Sequence, residues 1–522
     1  MDLDVLKGLA EASGADPAQV HTVVARLAEG AWWTQPDLIR ETATPRRTVE
    51  ALLREIAPER AGDRFRLTGE QVASYRKALD ETRLLAPPAD PVAHLLAEHA
   101  EVLDRLEDLV AGGPRARQAL DHVAATPETV VRRALLLGAR FHLPGSHVLC
   151  VGDHDLTSLA IAMIHPETPV TVVDIDERIL AYIGEQAERL GLDVRTRWAD
   201  LRLGLPASVH GEADLAITDP PYTPEGVGLF VGRGVEGLRD PDRGRVLLAY
   251  GASDRTPMLA LKVQRQLQDL NLVYEAIYPD FNRYFGAEAI GSAADLYVLR
   301  PTSKTRPAVA AQVERIGTAI YTHGAQSVEA RSETEVAESA LTGFEPGLLV
   351  GDWPKDLLPK VPRVRPSTWL AKPYAAAQSQ VAVLVPAGME AALPRLLLAA
   401  RADRVRVITA APLGGGLPGL AGPLFPVYDL TSSGTTIDAV RKPFPEEQAE
   451  RIVRQILDKA HGKVLNTWRE ALIRANGDLT KRQARDVILS RAPWAEGCTP
   501  LELPGHRLEQ LPAVVNASLG DG

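Results

Sequence analysis

The chain is poor in cysteine: Cys150 and Cys498 are the only two in 522 residues. A Cys-based zinc site and a disulfide framework are thereby excluded, and no metal is expected. Cys150 sits in the apolar run HVLCVG and reads as a small buried hydrophobe. No apolar run approaches the ~20 residues that a spanning helix needs, so no membrane is expected as partner. The opening MDLDVLKGLAEASGADPAQ holds two acids in its first four residues and lacks a basic start before an apolar stretch. A signal peptide is therefore not expected, and the location reads as cytoplasmic. A basic excess is missing as well, since 58 Lys and Arg face 68 Asp and Glu for a net charge of −10. That sign repels a nucleic-acid backbone and attracts cations. Nucleic acid is not expected as a partner, whereas a polycationic small substrate fits.

A chain of 522 residues exceeds the ~250–300 at which single cores stop growing, so several domains are expected. Residues 1–85 hold PDLIRETA, a turn, PRRTVEALLREIA and DRFRLTGE, the outline of helix, turn, helix and a two-stranded wing. Arg46, Arg47 and Arg54 of this winged-helix-like segment are answered by Glu50, Glu55 and Glu59. A DNA-reading helix shows a basic excess, so a structural or dimerising module is the preferred reading. Residues 86–118 open on APPADP, three prolines in six residues, and continue as a helical linker ending at Gly112-Gly113-Pro114.

Residues 119–304 alternate strands and helices. Thr126 suits an N-cap and Pro127 a first helical position. HVLCVG, VTVVDID, DVRTRWAD, ADLAITDPPY and RGRVLLAYG read as strands, with LVYEAIYPDF and SAADLYVLR closing the sheet. This predicts an α/β, Rossmann-like doubly wound domain with its ligand at the carboxyl ends of the strands. Residues 305–522 begin with the low-signal stretch TSKTRPAVAAQVERIG and then hold one β-α-β unit (VAVLVPAG, GMEAALPRLLLAARA, DRVRVITAA). The loop LGGGLPGLAGPLFP and two amphipathic helices follow. An α/β domain with a helical tail is expected there, and no catalytic constellation is found in it.

Four places carry chemistry. The turn Gly152-Asp153-His154-Asp155 keeps one glycine for close backbone approach but adds two carboxylates and an imidazole. Such a loop repels a carboxylate or pyrophosphate and welcomes a cationic chain; the plainer reading is an acidic turn capping the next helix. Asp174 lies 22 residues beyond Gly152, near the spacing at which an acid grips ribose hydroxyls, with Asp176 as the alternative. Asp200 stands where such folds bind the adenine amino group, unless it is a helix N-cap. In Asp219-Pro220-Pro221-Tyr222 the prolines fix φ and remove two donors, leaving carbonyls free to face a substrate. The Asp219 carboxylate and the Pro220 carbonyl can hold amine hydrogens, and Tyr222 can pack on the substrate. Finally, Glu288 and Asp295, with Asn282, Arg283 and Tyr284, line a cation pocket or form a solvated loop.

ATPETVVRRA, the turn GDHDLTS, VVDIDER, DPPYTPEG and FNRYFGAE with DLYVLR together resemble the branched-chain polyamine synthases, the N(4)-bis(aminopropyl)spermidine synthases. The resemblance runs from about Ala119 to Arg300. It implies aminopropyl transfer from decarboxylated S-adenosylmethionine to the secondary amine of spermidine, with release of methylthioadenosine. It implies a homodimer with a winged-helix N-terminal domain. The acidic loop of that family reads Gly-Asp-Asp-Asp, whereas His154 stands third here. On this resemblance Asp155, Asp219 and Tyr222 are the catalytic candidates. Gly152, Asp153, His154, Asp174, Asp176, Asp200 and Pro220 are assigned to the cofactor, and Pro221 and Glu288 to the substrate.

Two other readings stay open. One is an S-adenosylmethionine-dependent amino methyltransferase acting on a nucleobase or small amine. The other is a non-enzymatic regulator whose winged helix binds DNA.

Overall fold

The computed structural model describes Gly8 and residues 18–82, 90–252, 256–313, 319–322, 338–413 and 426–520. At the N-terminal end come α1 (Ala18–Leu27), β1 (Trp33–Thr34), α2 (Gln35–Thr42) and α3 (Arg46–Ile56), then the strands β2 (Glu59–Ala61) and β3 (Arg64–Arg66) and helix α4 (Gly69–Thr82). The two helices lie where the sequence places them, but the hairpin starts earlier than DRFRLTGE, at Glu59, and Gly69 already opens α4. Thr34 starts α2 by accepting from the Asp37 amide, and Val23, Leu38, Leu52 and Phe65 form a small core of their own.

Helix α5 (Ala100–Gly112) follows and stops at Gly113. The stretch read as a linker is thus no free tether, because Leu106 and Leu109 enter the main core beside α6 (Pro127–Arg140). Thr126 caps α6 by accepting from the Thr129 amide.

The central sheet is built from β4 (Val148–Val151), β5 (Val170–Asp174), β6 (Val194–Trp198), β7 (Leu215–Thr218), β8 (Arg245–Tyr250), β9 (Leu272–Arg283) and β10 (Ala293–Pro301). Between them run α7 (Thr157–Ile164), α8 (Glu177–Leu190), α9 (Pro224–Gly237) and α10 (Pro257–Asp269). The strand order is β6-β5-β4-β7-β8-β10-β9, with the first five parallel and β10 antiparallel to both neighbours. VLCV, VTVVD and LAIT are buried along their whole length, as strands covered by helices on both faces must be. The order reverses at β4, so a crevice opens between the carboxyl ends of β4 and β7.

Helix α11 (Thr305–Val313) still belongs to this unit, since Val309 joins the cluster under α9 together with Ile320 and Tyr321. The expected boundary after 304 therefore falls too early. Beyond it, β11 (Leu348–Val350), β12 (Arg363–Val364), β13 (Gln380–Val385), β14 (Arg404–Thr409), β15 (Tyr428–Ser433) and β16 (Thr436–Arg441) form a second sheet ordered β12-β11-β13-β14-β16-β15. The expected β-α-β unit is β13, α13 (Leu393–Ala400) and β14 in parallel register, after a short α12 (Pro366–Ala371). Most of the glycine-rich loop lies outside the described residues. The two amphipathic helices are α14 (Gln448–Asp458) and α15 (Val464–Asn476), followed by α16 (Lys481–Arg491) and α17 (Gly505–Leu519).

The second sheet does not stand apart. Its unit covers the open edge of the first, where the Trp198 amide donates to the Glu502 carbonyl at 2.7 Å. Arg395 pairs with Glu177 at 2.6 Å, and Arg507 with Glu188. An edge strand left bare is a template for unwanted pairing, and this packing covers the carboxyl end of β6. Among the described residues no helix is long and apolar enough to cross a membrane.

Candidate active site

The carboxyl ends of β4, β5, β6 and β7 open on one cavity of about 490 Å³. At the end of β4, Gly152 adopts φ +72°, and a Cβ there would stand 3.2 Å from the Phe230 ring. Backbone freedom and close approach both require glycine. Asp153 turns beneath α7, its two oxygens accepting from the amides of Thr157 (2.7 Å) and Ser158 (3.0 Å). It thus fills the capping role that was the plainer reading of this turn, and burial pushes its carboxyl up to about 7 against the pull of those bonds.

Asp174, at the end of β5, accepts from the amides of Asp153 (3.0 Å) and Asp176 (2.8 Å) and faces the cavity. Burial raises its carboxyl. Asp176 does not face the cavity. It caps α8, accepting from the Arg178 amide, and both its oxygens are held by the Arg178 guanidinium. The cofactor assignment of Asp176 is corrected accordingly: β5 ends at Asp174, and Asp176 stands past it as the N-cap of α8, turned to Arg178. Asp200 lines the cavity, gripped by its near neighbour Arg202 at 2.8 and 2.6 Å.

The centre of the site is a residue the motifs did not single out. Arg133 of α6 is 2% exposed and spans the carboxylates of two separate motifs. It donates to Asp155 at 3.1 Å, to Asp219 at 2.6 Å, to Tyr284 at 3.3 Å and to Asn282 at 2.8 Å. Burial opposes its charge, but Asp219, Tyr284 and Asp155 outweigh burial and keep it ionised. One signal existed: Arg133 follows Val130 by three and precedes Leu137 by four, so it lies on the buried face of α6.

The two acids then diverge. Burial alone would raise the Asp155 carboxyl, but His154, Arg133 and the Ala125 amide (2.9 Å) hold it below the usual range. For Asp219 burial dominates, reinforced by Asp155 and opposed by Arg133, and its carboxyl is raised. Asp219 also accepts from the hydroxyls of Tyr222 (3.2 Å) and Tyr284 (2.8 Å). Burial and Asp219 push both phenols well above their ordinary value, so they stay neutral donors. Asp219 is the better proton acceptor of the pair; Asp155 is a fixed anion.

His154 stacks on His122, ring centroids 4.5 Å apart, with its Nδ1 3.4 Å from Asp155. Burial, then His154, pushes His122 down to about 3. Both imidazoles line the cavity, as do Pro220, Pro221 and Tyr222. Glu288 does not: it pairs with Arg46 of α3, while its neighbours Ala287, Ala289 and Ile290 form the wall. Its substrate assignment is corrected by that ion pair. Arg46, the leading base of the expected recognition helix, is engaged by the same contact.

Among the described residues, six carboxylates line the cavity (Asp121, Asp153, Asp155, Asp174, Asp200 and Asp219) against one guanidinium, Arg133. Sheet order, glycine turn and this crevice define a Rossmann-like, doubly wound α/β fold with its cavity at the switch point. The family model for the branched-chain polyamine synthase A C-terminal domain matches residues 101–335 of this chain.

Three relatives match part of this chain. An uncharacterized protein of Methanocaldococcus jannaschii is 34% identical over 221 residues, 42% of this chain and 55% of that protein. The N(4)-bis(aminopropyl)spermidine synthase of the same organism is 34% identical over 193 residues, 36% of this chain and 54% of the relative. Its namesake from Thermococcus kodakarensis is 32% identical over 189 residues, 35% of this chain and 53% of the relative. The chain thus spans about half the length of these relatives. The Thermus thermophilus branched-chain polyamine synthase, solved with N4-aminopropylspermidine and 5'-methylthioadenosine, superposes with a TM-score of 0.40 at 21% identity, covering 57% of this chain and 92% of the other.

Proposed function

We propose that the protein transfers an aminopropyl group from decarboxylated S-adenosylmethionine to an amine nitrogen of a polyamine such as spermidine. One observation carries this reading: a cavity at the switch point walled by six carboxylates and a single, fully engaged guanidinium. Two opposite charges ~4 Å apart attract by about 4 kcal/mol at an effective dielectric of 20. A donor that is cationic at both sulfur and chain end gains from such walls, and a polycationic acceptor gains beside it. The relatives named as N(4)-bis(aminopropyl)spermidine synthases support the same choice.

The cofactor supplies an electrophilic carbon: the amine nitrogen bonds to it as the carbon–sulfur bond breaks, sulfur leaving with the bonding pair in methylthioadenosine. The protein's part is binding, aiming and deprotonation. Asp174 suits the ribose hydroxyls and Asp200 the adenine amino group, with Gly152 keeping the backbone close. Asp155, held ionised, faces the cationic chain end, with Asp153 shaping the turn and His154 beside it. A free aliphatic amine is protonated near neutrality, its pKa lying near ~10 like that of lysine. Asp219, raised by burial, accepts that proton, and the Pro220 carbonyl and Tyr222 aim the lone pair. Asp155 holds Arg133, which in turn fixes Asp219.

In the S-adenosylmethionine methyltransferase alternative the cofactor carboxylate would face these acidic walls and would gain from a cationic partner. Arg133 is the one guanidinium among the lining residues and is already shared by Asp155 and Asp219. The proposal extends to a homodimer, a cytoplasmic location and a winged-helix-like N-terminal module that braces the 284–291 wall rather than reading DNA. Titration calorimetry with both donors tests it. Tighter binding of the decarboxylated form is expected; binding of the carboxylated form alone reverses the assignment.

A further inference from the structure

The C-terminal unit touches the cavity through two relays at the end of β6. In the first, Arg202, 3% exposed in its side chain, grips both oxygens of Asp200 and donates its Nη2 to the Gly388 carbonyl at 3.0 Å. Gly388 lies in the turn after β13, and that turn is pinned by the Gly388 amide donating to Glu390 at 3.0 Å. In the second, Arg395 of α13 lies 4.1 Å over the Trp198 ring. The Trp198 indole N–H donates to the Ile175 carbonyl at 3.2 Å. Ile175 and Asp200 both line the cavity beside Asp174. Arg395 is itself buried and anchored to Glu177 and to the Leu503 carbonyl. Two independent chains of contact thus run from the second sheet to the same end of the cavity.

A carboxylate that reads a base must be held in one plane. A bidentate guanidinium does this, and its fork geometry is fixed. Here the guanidinium is held in turn by a carbonyl from another domain. We propose that the C-terminal unit sets affinity and base selectivity at the adenosine end of the cavity, with Arg202 and Trp198 as the positioning residues. This rests on the adenosyl-cofactor reading above. An adenine 6-amino group donates to Asp200; the 6-oxo group of hypoxanthine meets it acceptor to acceptor.

Titration calorimetry on the full chain with 5'-methylthioadenosine and its inosine counterpart tests the proposal. The wild type is expected to prefer the adenosine form. Arg202→Met and, independently, Glu390→Ala are expected to weaken 5'-methylthioadenosine about tenfold, the loss of roughly one charged hydrogen bond, and to narrow the preference. Glu390→Ala lies outside the cavity wall and carries the test if Arg202→Met does not fold. A merely structural role lowers the melting temperature and leaves the preference intact. If the wild type binds neither nucleoside, the adenosyl reading itself fails. If it binds without preference, or if a folded variant keeps both affinity and preference, the positioning proposal is overturned while that reading stands.

Discussion

Arg133 donates to Asp219 at 2.6 Å across 86 residues of sequence, and by its other amino group to Asp155 at 3.1 Å. One buried cation thereby joins the turn after β4 to the turn after β7, the two motifs that define the crevice.

Removing that cation leaves two buried carboxylates facing each other. Arg133→Met is expected to destabilise the fold by about 3–5 kcal/mol, the usual result of breaking a buried pair from one side. Urea unfolding checks this. A loss within about 0.5 kcal/mol means that the pair is not buried in solution.

Asp219 and Asp155 differ in role, and their amide variants separate them. Asp219→Asn removes the proton acceptor and is expected to lower kcat by about 10²–10⁴ with little change in 5'-methylthioadenosine binding. Asp155→Asn presents a donor toward the Ala125 amide or Arg133. It is expected to lower stability along with activity. Equal kinetic losses with unchanged melting in both variants contradict the division.

The raised Asp219 carboxyl fixes the sign of the pH dependence. A protonated Asp219 accepts nothing, so kcat/KM for the amine falls as pH drops through its pKa, at a pH above the ordinary carboxylate value of ~4. The Tyr284 hydroxyl bond pulls that pKa down. Tyr284→Phe should therefore move the acid limb toward higher pH. A limb that stays or moves toward lower pH argues against Asp219 as the base.

Much of this was legible in the chain, and the exceptions share a cause. The strands from HVLCVG to RGRVLLAYG follow from apolar runs between helices, and DPPY marks the end of β7 by its own chemistry. Arg133, by contrast, matters through partners 22 and 86 residues away, which no local pattern encodes. The His122 and His154 stack is of the same kind. Asp174 ends β5 and Asp176 caps α8 two residues on, and only the geometry shows which faces the cavity. Glu288 looked like a substrate ligand because its segment is acidic; its partner, Arg46, comes from a different domain.

The N-terminal module closes on the cavity wall at Gly291, whose φ is +81° and where a Cβ would stand 2.4 Å from the Ala43 carbonyl oxygen. Gly291→Ala is expected to cost roughly 1–3 kcal/mol of strain. It should raise KM for the amine more than it lowers kcat. Steady-state kinetics with unchanged KM shows that this contact does not shape the acceptor side.

Mass spectrometry of a polyamine incubated with the protein and each sulfonium donor tests the account most directly. The account predicts a mass gain of one aminopropyl unit on spermidine with the decarboxylated donor, methylthioadenosine appearing in equal amount. A gain of one methyl group with the intact donor, and nothing with the decarboxylated one, contradicts it.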